Sequence, residues 1–194
     1  MSDTPETPGS ATLFRRRSAF LAPIWLLALA GVIVVAAAFT YWNSATTTTV
    51  VVIRHAEKAP NAISDAPLSP PGEQRAVRLA QMFGDGETFG RVTKVYVTNT
   101  RRTQQTVAEL VQRLGVKAEV VDAKAKSSDL ARRVLRENRG GLALVVAHSN
   151  TVPEIVAAMA HAKHVPPIAD EEFDTMYIVT VPTIGRASVL RLKW

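Results

Sequence analysis

No charged side chain occurs between Ala19 and Trp42 (AFLAPIWLLALAGVIVVAAAFTYW). About 24 residues at about 1.5 Å each make about 36 Å of helix, enough to cross a hydrocarbon core of about 30 Å. Arg15, Arg16 and Arg17 precede the run, Tyr41 and Trp42 close it, and the next cation is Arg54. That bias predicts a signal anchor with a cytoplasmic N-terminus and an exported remainder. Two other readings exist for the segment. A core helix would rarely run so long without a charge. A cleaved signal peptide would use Ala36-Ala37-Ala38 as its cleavage site, and it exports the domain as well.

This run divides the chain. Residues 1–18 predict a disordered cytoplasmic tail, 19–42 the membrane helix, 43–49 a polar linker and 50–194 the folded domain. Of 194 residues none is Cys, which excludes a disulfide scaffold, a Cys-based metal site and a cysteine nucleophile. The formal charge of +6 is partly the arginine triplet before the apolar run. No recognition motif or aromatic interleaving accompanies the other cations, so nucleic acid is not an expected partner. The basic run Arg132, Arg133, Arg136 and Arg139 reads as a solvated helix face, with anionic lipid headgroups as its alternative partner.

After residue 49, strands and helices alternate. Apolar β-branched runs predict strands at Thr49–Ile53, Val92–Val97, Ala118–Val121 and Leu142–Ala147, with two more near Met176–Val181 and Ala187–Leu192. Ser69 followed by Pro70 predicts a helix start, and Ala76, Leu79, Ala80 and Phe83 follow helical spacing. A second helix carries Val107, Leu110, Val111 and Leu114 and stops at Gly115. A third is capped by Ser127 or Ser128 and turns Leu130, Val134 and Leu135 inward. A fourth starts at Thr151 and runs through Ile155, Val156 and Met159. Continuous apolar strands separated by helices predict a three-layer α/β/α fold with a mostly parallel sheet covered on both faces.

In such folds ligands sit beyond the carboxyl ends of the strands. Three strand ends are rich in chemistry: Arg54-His55, Thr98 through Arg102, and His148-Ser149-Asn150. Guanidinium forks and helix N-termini suit a tetrahedral oxyanion, and imidazoles supply a nucleophile and a proton carrier. Ser149 lacks the G-x-S-x-G context of an acyl-transfer serine, so a histidine attacking phosphorus fits better. His161 and His164 read as ordinary residues at a helix end.

The ordered segments VVVIRHAEK, PLSPPGEQRA, VYVTNTRRTQQTVAEL and VVAHSNTVPEIV resemble the histidine phosphatase superfamily, which has the phosphoglycerate mutase-like fold. The closing stretch EEFDTMYIVTVP…ASVLRLKW is similar to the last strands of bacterial members. The resemblance implies that His55 is phosphorylated and that Arg54 and Arg102 bind the phosphoryl oxygens. It implies that Thr106 is the threonine of the second-arginine motif, with Arg101 flanking it. His148, protonated when it holds the phosphoryl oxygens in the transition state, is the second catalytic histidine, Thr98 stands where the family often has Ser, and Ser149 and Asn150 join the phosphate site. No metal or cofactor is implied.

Departures from the family pattern bear on the proton donor. Ala56 replaces the usual Gly, as in R-H-A-E-K members. Ser149 stands where acid-phosphatase members have Asp. Gly115–Ser128 is too short for the inserted Glu of the mutases and holds only Glu119 and Asp122. Glu57 is therefore the expected acid, its alternative being a carboxylate that orients Lys58 or an arginine. Three functions follow as expectations. One is an extracytoplasmic phosphatase on an envelope phosphomonoester, since R-H-A-E-K relatives include lipopolysaccharide core heptose phosphatases. The others are a phosphohistidine protein phosphatase and an inactive phosphate-binding scaffold.

Overall fold

The computed structural model describes residues 24–44, 46–60, 65–86 and 90–194. The tail, the Arg15–Arg17 triplet and residues 19–23 of the apolar run lie outside them. Helix α1 (Ile24–Ser44) contains an 18-residue stretch, Ile24–Tyr41, of mean hydropathy 2.3 with none of it buried. It is long and apolar enough to span a membrane. The chain divides into two units, residues 1–41 and 42–194.

The second unit begins with strand β1 (Thr47–Arg54), so Thr47 to Thr49, read as linker, are already sheet, and Asn43 and Ser44 are helix. There follow α2 (Pro70–Phe83), β2 (Val92–Thr98), α3 (Arg101–Leu114), β3 (Ala118–Val121) and α4 (Ser127–Glu137). The chain closes with β4 (Leu142–Ala147), α5 (Thr151–Ala160), β5 (Thr175–Pro182) and β6 (Ser188–Lys193). The sheet order is β3-β2-β4-β1-β5-β6. The first four strands in that order are mutually parallel, and β5 is antiparallel to both its neighbours, β1 and β6. A turn of a few residues joins β5 to β6, and a connection that short permits only antiparallel pairing.

Alternate side chains of β1 feed two buried layers. Val51 and Ile53 pack with Leu79 and Phe83 of α2 and Leu110 of α3. Val50 and Val52 pack with Val134 of α4 and Ile155 and Met159 of α5. Burial on both faces explains the unbroken apolar strands. Both layers lie wholly within the second unit, so that unit has its own core.

The helix starts place the site. Ser69 caps α2, its hydroxyl accepting from Gly72 N–H at 3.3 Å, with Pro70 in the first turn. At Gly72 an added Cβ would lie 2.2 Å from Glu57 O, so only glycine lets α2 approach the segment after β1 this closely. Helix α3 ends at Gly115 in the left-handed region (φ 66°). Helix α4 starts one residue earlier than expected: Lys126 is its N-cap, and the Ser127 hydroxyl donates to Glu154 Oε2 at 2.7 Å instead of capping.

Candidate active site

Parallel pairing of β1 with β4 sets Arg54 opposite Ala147, so His55 and His148 leave adjacent strand ends. His55 N–H donates to Ala147 O at 3.0 Å. Strand β2 flanks β4 on its other side and delivers Thr98, and the first turn of α3 delivers Arg102. The two imidazole centroids are 5.4 Å apart, inclined at 66°.

His55 is 4% exposed. Its Nδ1 lies 2.7 Å from Ala56 O, which can only accept, so Nδ1 carries the proton and Nε2 keeps its lone pair. Nε2 makes no hydrogen bond among the described residues. Burial is the main force pushing the His55 pKa down to about 3, and the nearby Arg102, His148 and Arg54 add to it. A neutral imidazole with a free nitrogen is the form a nucleophile needs.

The segment after His55 is pinned to α3. Ala56 N–H donates to Thr106 Oγ1 at 3.0 Å, and the Thr106 hydroxyl donates to Arg102 O at 2.7 Å. Thr106 thus fixes the strand end that carries His55 against the helix turn that carries Arg102.

Around His148 the donors set the tautomer. Arg102 Nη2, which can only donate, is 3.4 Å from His148 Nδ1. Nδ1 is therefore the acceptor, and Nε2–H donates to Thr98 Oγ1 at 3.0 Å. Thr98 in turn contacts Thr103 Oγ1 at 3.0 Å, while the Thr103 hydroxyl donates to backbone carbonyls. Burial, then Arg102 and Arg54, push the His148 pKa down to about 4. In the free site, beside two guanidinium groups, the ring is therefore neutral at neutral pH; the protonated His148 expected from the sequence belongs to the state in which it holds phosphoryl oxygens.

Arg54 is 5% exposed and faces the connection between α5 and β5. Its Nη1 is within 2.9 Å of Ala169 O and Asp170 O and 3.2 Å of Glu172 O. Its guanidinium carbon sits 4.0 Å from the Phe173 ring centroid. Burial lowers its pKa, with Arg102 acting in the same sense. The Nε atoms of Arg54 and Arg102 are both buried without a hydrogen-bond partner. Each such donor carries a desolvation cost of about 1–3 kcal/mol until something accepts from it.

Glu57, the expected acid, is a structural clamp. Arg75 Nε lies 3.0 Å from both of its carboxylate oxygens, and Arg75 Nη2 is 2.6 Å from Oε1. Arg75 also donates to Trp194 O at 3.1 Å, tying the last residue to the segment after His55. Burial works to raise the Glu57 pKa, but the hydrogen bonds from Arg75 outweigh it and hold the carboxylate below its ordinary range. A carboxylate held ionised in a bidentate pair is a poor proton donor.

Another carboxylate reaches the site residues. Asp170 Oδ1 lies 4.0 Å from Arg54 Nη2 and accepts from Ser149 Oγ at 3.4 Å. Asn150 is the exposed N-cap of α5 and makes no side-chain capping bond. Arg101 is exposed, and its N–H donates to Asp65 Oδ1 at 2.8 Å. His161 is the C-cap of α5, in the left-handed region at φ 51°. Sequence reasoning missed Asp170, Phe173, Thr103 and Arg75; only the acidic run Asp170-Glu171-Glu172 just before β5 offered a local signal. Among the described residues no group of three or more His, Asp or Glu is placed to hold a metal ion.

Residues 50–124 match the family model of the histidine phosphatase superfamily (branch 1), a span that includes Arg54, His55 and Arg102. Among solved structures it is similar to the protein histidine phosphatase SixA complexed with tungstate (TM-score 0.58, 23% identity, 75% of this chain and 96% of that one). It is also similar to the mycobacterial glucosyl-3-phosphoglycerate phosphatase Rv2419c (TM-score 0.57, 13% identity, 74% and 97%). A third similar structure is mycobacterial hydrolase 1 (TM-score 0.56, 16% identity, 74% and 97%). Comparison with curated proteins returned no match.

Proposed function

We propose that the protein is a phosphatase that hydrolyses a phosphomonoester through a phosphohistidine on His55. One observation carries this reading: an unprotonated, hydrogen-bond-free His55 Nε2 stands among guanidinium groups whose Nε–H donors are buried and unsatisfied. A phosphoryl group satisfies both needs at once, offering an electrophile to the nitrogen and acceptor oxygens to the donors. Structures similar to this chain have been solved with tungstate, with VO3 and with inorganic phosphate.

In the first step His55 Nε2 attacks phosphorus and the bond to the leaving oxygen breaks. Arg54 and Arg102 balance the charge on the phosphoryl oxygens. Their match with a dianion raises the His148 pKa, so the ring takes up a proton from solvent on Nδ1, keeps it through the reaction, and hydrogen-bonds a phosphoryl oxygen with it. The Asp170 carboxyl gives its proton to the leaving oxygen. A water then attacks phosphorus and passes a proton to Asp170, the P–N bond breaks, and His55 regains its lone pair.

The test is hydrolysis of a panel spanning p-nitrophenyl phosphate, alkyl and glycosyl phosphates, and a phosphohistidine peptide. The expected result is phosphate release with an acid-labile phosphoryl label on the protein. Failure on every member overturns the reading in favour of a phosphate-binding scaffold, and turnover of the peptide alone makes it a phosphohistidine phosphatase. The panel also separates the two carboxylates. Asp170→Asn slows alkyl phosphates about 10²-fold and leaves p-nitrophenyl phosphate, with its good leaving group, nearly unchanged. Glu57→Gln leaves that leaving-group dependence intact and instead lowers the denaturation midpoint, because Arg75 loses its bidentate partner.

We further infer that α1 anchors the protein in the inner membrane, with residues 1–18 cytoplasmic and the domain outside, acting on an envelope phosphomonoester. The length and apolarity of α1 and the Arg15–Arg17 triplet support this. A reporter that folds only outside the cytoplasm, fused after Trp194, is active on this reading and inactive if the domain stays inside.

A further inference from the structure

The basic run of α4 is divided by the fold. Arg133 is held by Glu119 and by Glu137, at 2.5 and 2.9 Å. Arg132 pairs with Asp129 of its own helix. Arg136 and Arg139 are exposed and have no carboxylate partner among the described residues. These two, with Arg132, Thr48, Pro182 and Thr183, line an open groove of about 430 Å³. The groove lies at the end of the sheet where β1 begins and β5 finishes, the opposite end from His55.

Beside it projects the turn between β5 and β6. At its tip Ile184 is 64% exposed, and Arg186, two residues on, also has no ion-pair partner among the described residues. Thr183 N–H and Oγ1 donate to Thr46 O at 3.0 and 2.9 Å. Thr46 is two residues past Ser44, the last residue of α1. Two residues span at most about 7 Å. A membrane's headgroup layer, about 5–8 Å on each side, is as deep as that.

We propose that this face of the domain, with Arg136, Arg139 and Arg186 around the apolar tip Ile184, binds anionic phospholipid headgroups. The proposal rests on the anchor reading. A membrane-spanning α1 brings Thr46, and the turn bonded to it, to the lipid surface. Guanidinium forks match headgroup phosphates, and an exposed aliphatic beside cations suits the boundary between headgroups and acyl chains. A free oligophosphate offers the same anionic chemistry without the apolar layer, so Ile184 favours the membrane. Because β1 runs from this face to Arg54, docking turns the catalytic end of the sheet away from the lipid. The substrate is then a phosphomonoester that reaches the site from the aqueous phase, not a headgroup of the anchoring bilayer.

The experiment uses residues 46–194, which contain both buried layers and lack α1. The domain is sedimented with neutral phosphatidylcholine vesicles and with vesicles holding about 30% phosphatidylglycerol. Binding at least about ten-fold tighter to the anionic vesicles, weakened by salt, is the expected result. Arg136→Glu with Arg139→Glu weakens that binding about thirty-fold or more, at about ten-fold or less per neutralised cation and more for reversal. Ile184→Ser removes the part that survives high salt. Hydrolysis of p-nitrophenyl phosphate by both variants matches wild type, which establishes that they fold. Equal binding to the two vesicle types, no loss in the double variant, or displacement by tripolyphosphate with no dependence on Ile184 overturns the proposal. The anchor reading fails separately, if the full chain is released from membranes by alkaline carbonate.

Discussion

His55→Ala abolishes turnover: kcat on any substrate the protein accepts falls on the order of 10⁴-fold or more, because no other group supplies the attacking nitrogen. His55 Nε2 is the unprotonated nitrogen that no neighbour occupies, and His148 has both ring nitrogens engaged, by Arg102 and by Thr98. The variant still folds, since the ring sits at a strand end outside both buried layers. Two measurements check this, steady-state hydrolysis and incorporation of labelled phosphate stable to base and labile to acid. Wild type acquires the label and His55→Ala does not. A variant retaining more than about a hundredth of wild-type kcat, or one still labelled, sinks the nucleophile assignment.

Arg102→Ala is the second large effect, with kcat/KM lower by about 10²–10³-fold, the range for deleting one preorganised contact to a developing oxyanion. This substitution also reports on charge in the resting site. Burial and then Arg102 hold His148 near a pKa of about 4, so removing the guanidinium raises that value, as imidazole NMR titration would register. Stability follows with a fixed sign. An unfolded histidine titrates near 6.5 and folded His148 near 4, so the unfolded chain binds more protons between those values. The native domain therefore loses stability as pH falls through that window. In Arg102→Ala the window narrows, and the variant loses less stability on acidification than wild type. An unmoved His148 titration, or kcat/KM within ten-fold of wild type, rejects the arrangement.

The parts of the fold legible in the sequence are those governed by local pattern. Val50 to Ile53 alternate between two buried layers, and a continuous apolar run read correctly as a strand covered on both sides. Ser69 and Pro70 announced α2 because cap chemistry is local. The strand-end rule alone groups His55, His148, Thr98 and Arg102. The direction of β5 had no such signal, since a strand buried on both faces carries the same pattern in either orientation. Glu57 misled because proximity in sequence to His55 says nothing of Arg75, which reaches it across a helix turn. Asp170 and Phe173 come from an irregular connection far along the chain, and only the tertiary fold sets them against Arg54. The neutral resting state of His148 has no signal in the sequence, because it depends on how closely two guanidinium groups approach a buried ring.

The position of β1 at the sheet's centre has a consequence for the order of events during biosynthesis. Its residues pair with distant ones, Thr49 with Leu142 and Thr47 with Pro182. Pairing across such long loops is slow to nucleate. A growing chain that has emerged only as far as α3 holds Arg54, His55 and Arg102 but neither neighbour of the strand that carries Arg54 and leads into His55. The apolar edge of Val50 to Ile53 stays open to unwanted partners until β4 and β5 arrive. Activity is thus the last property the domain acquires. A nascent or C-terminally clipped chain is inert toward phosphate esters and prone to aggregate, which confines hydrolysis to molecules whose synthesis is complete.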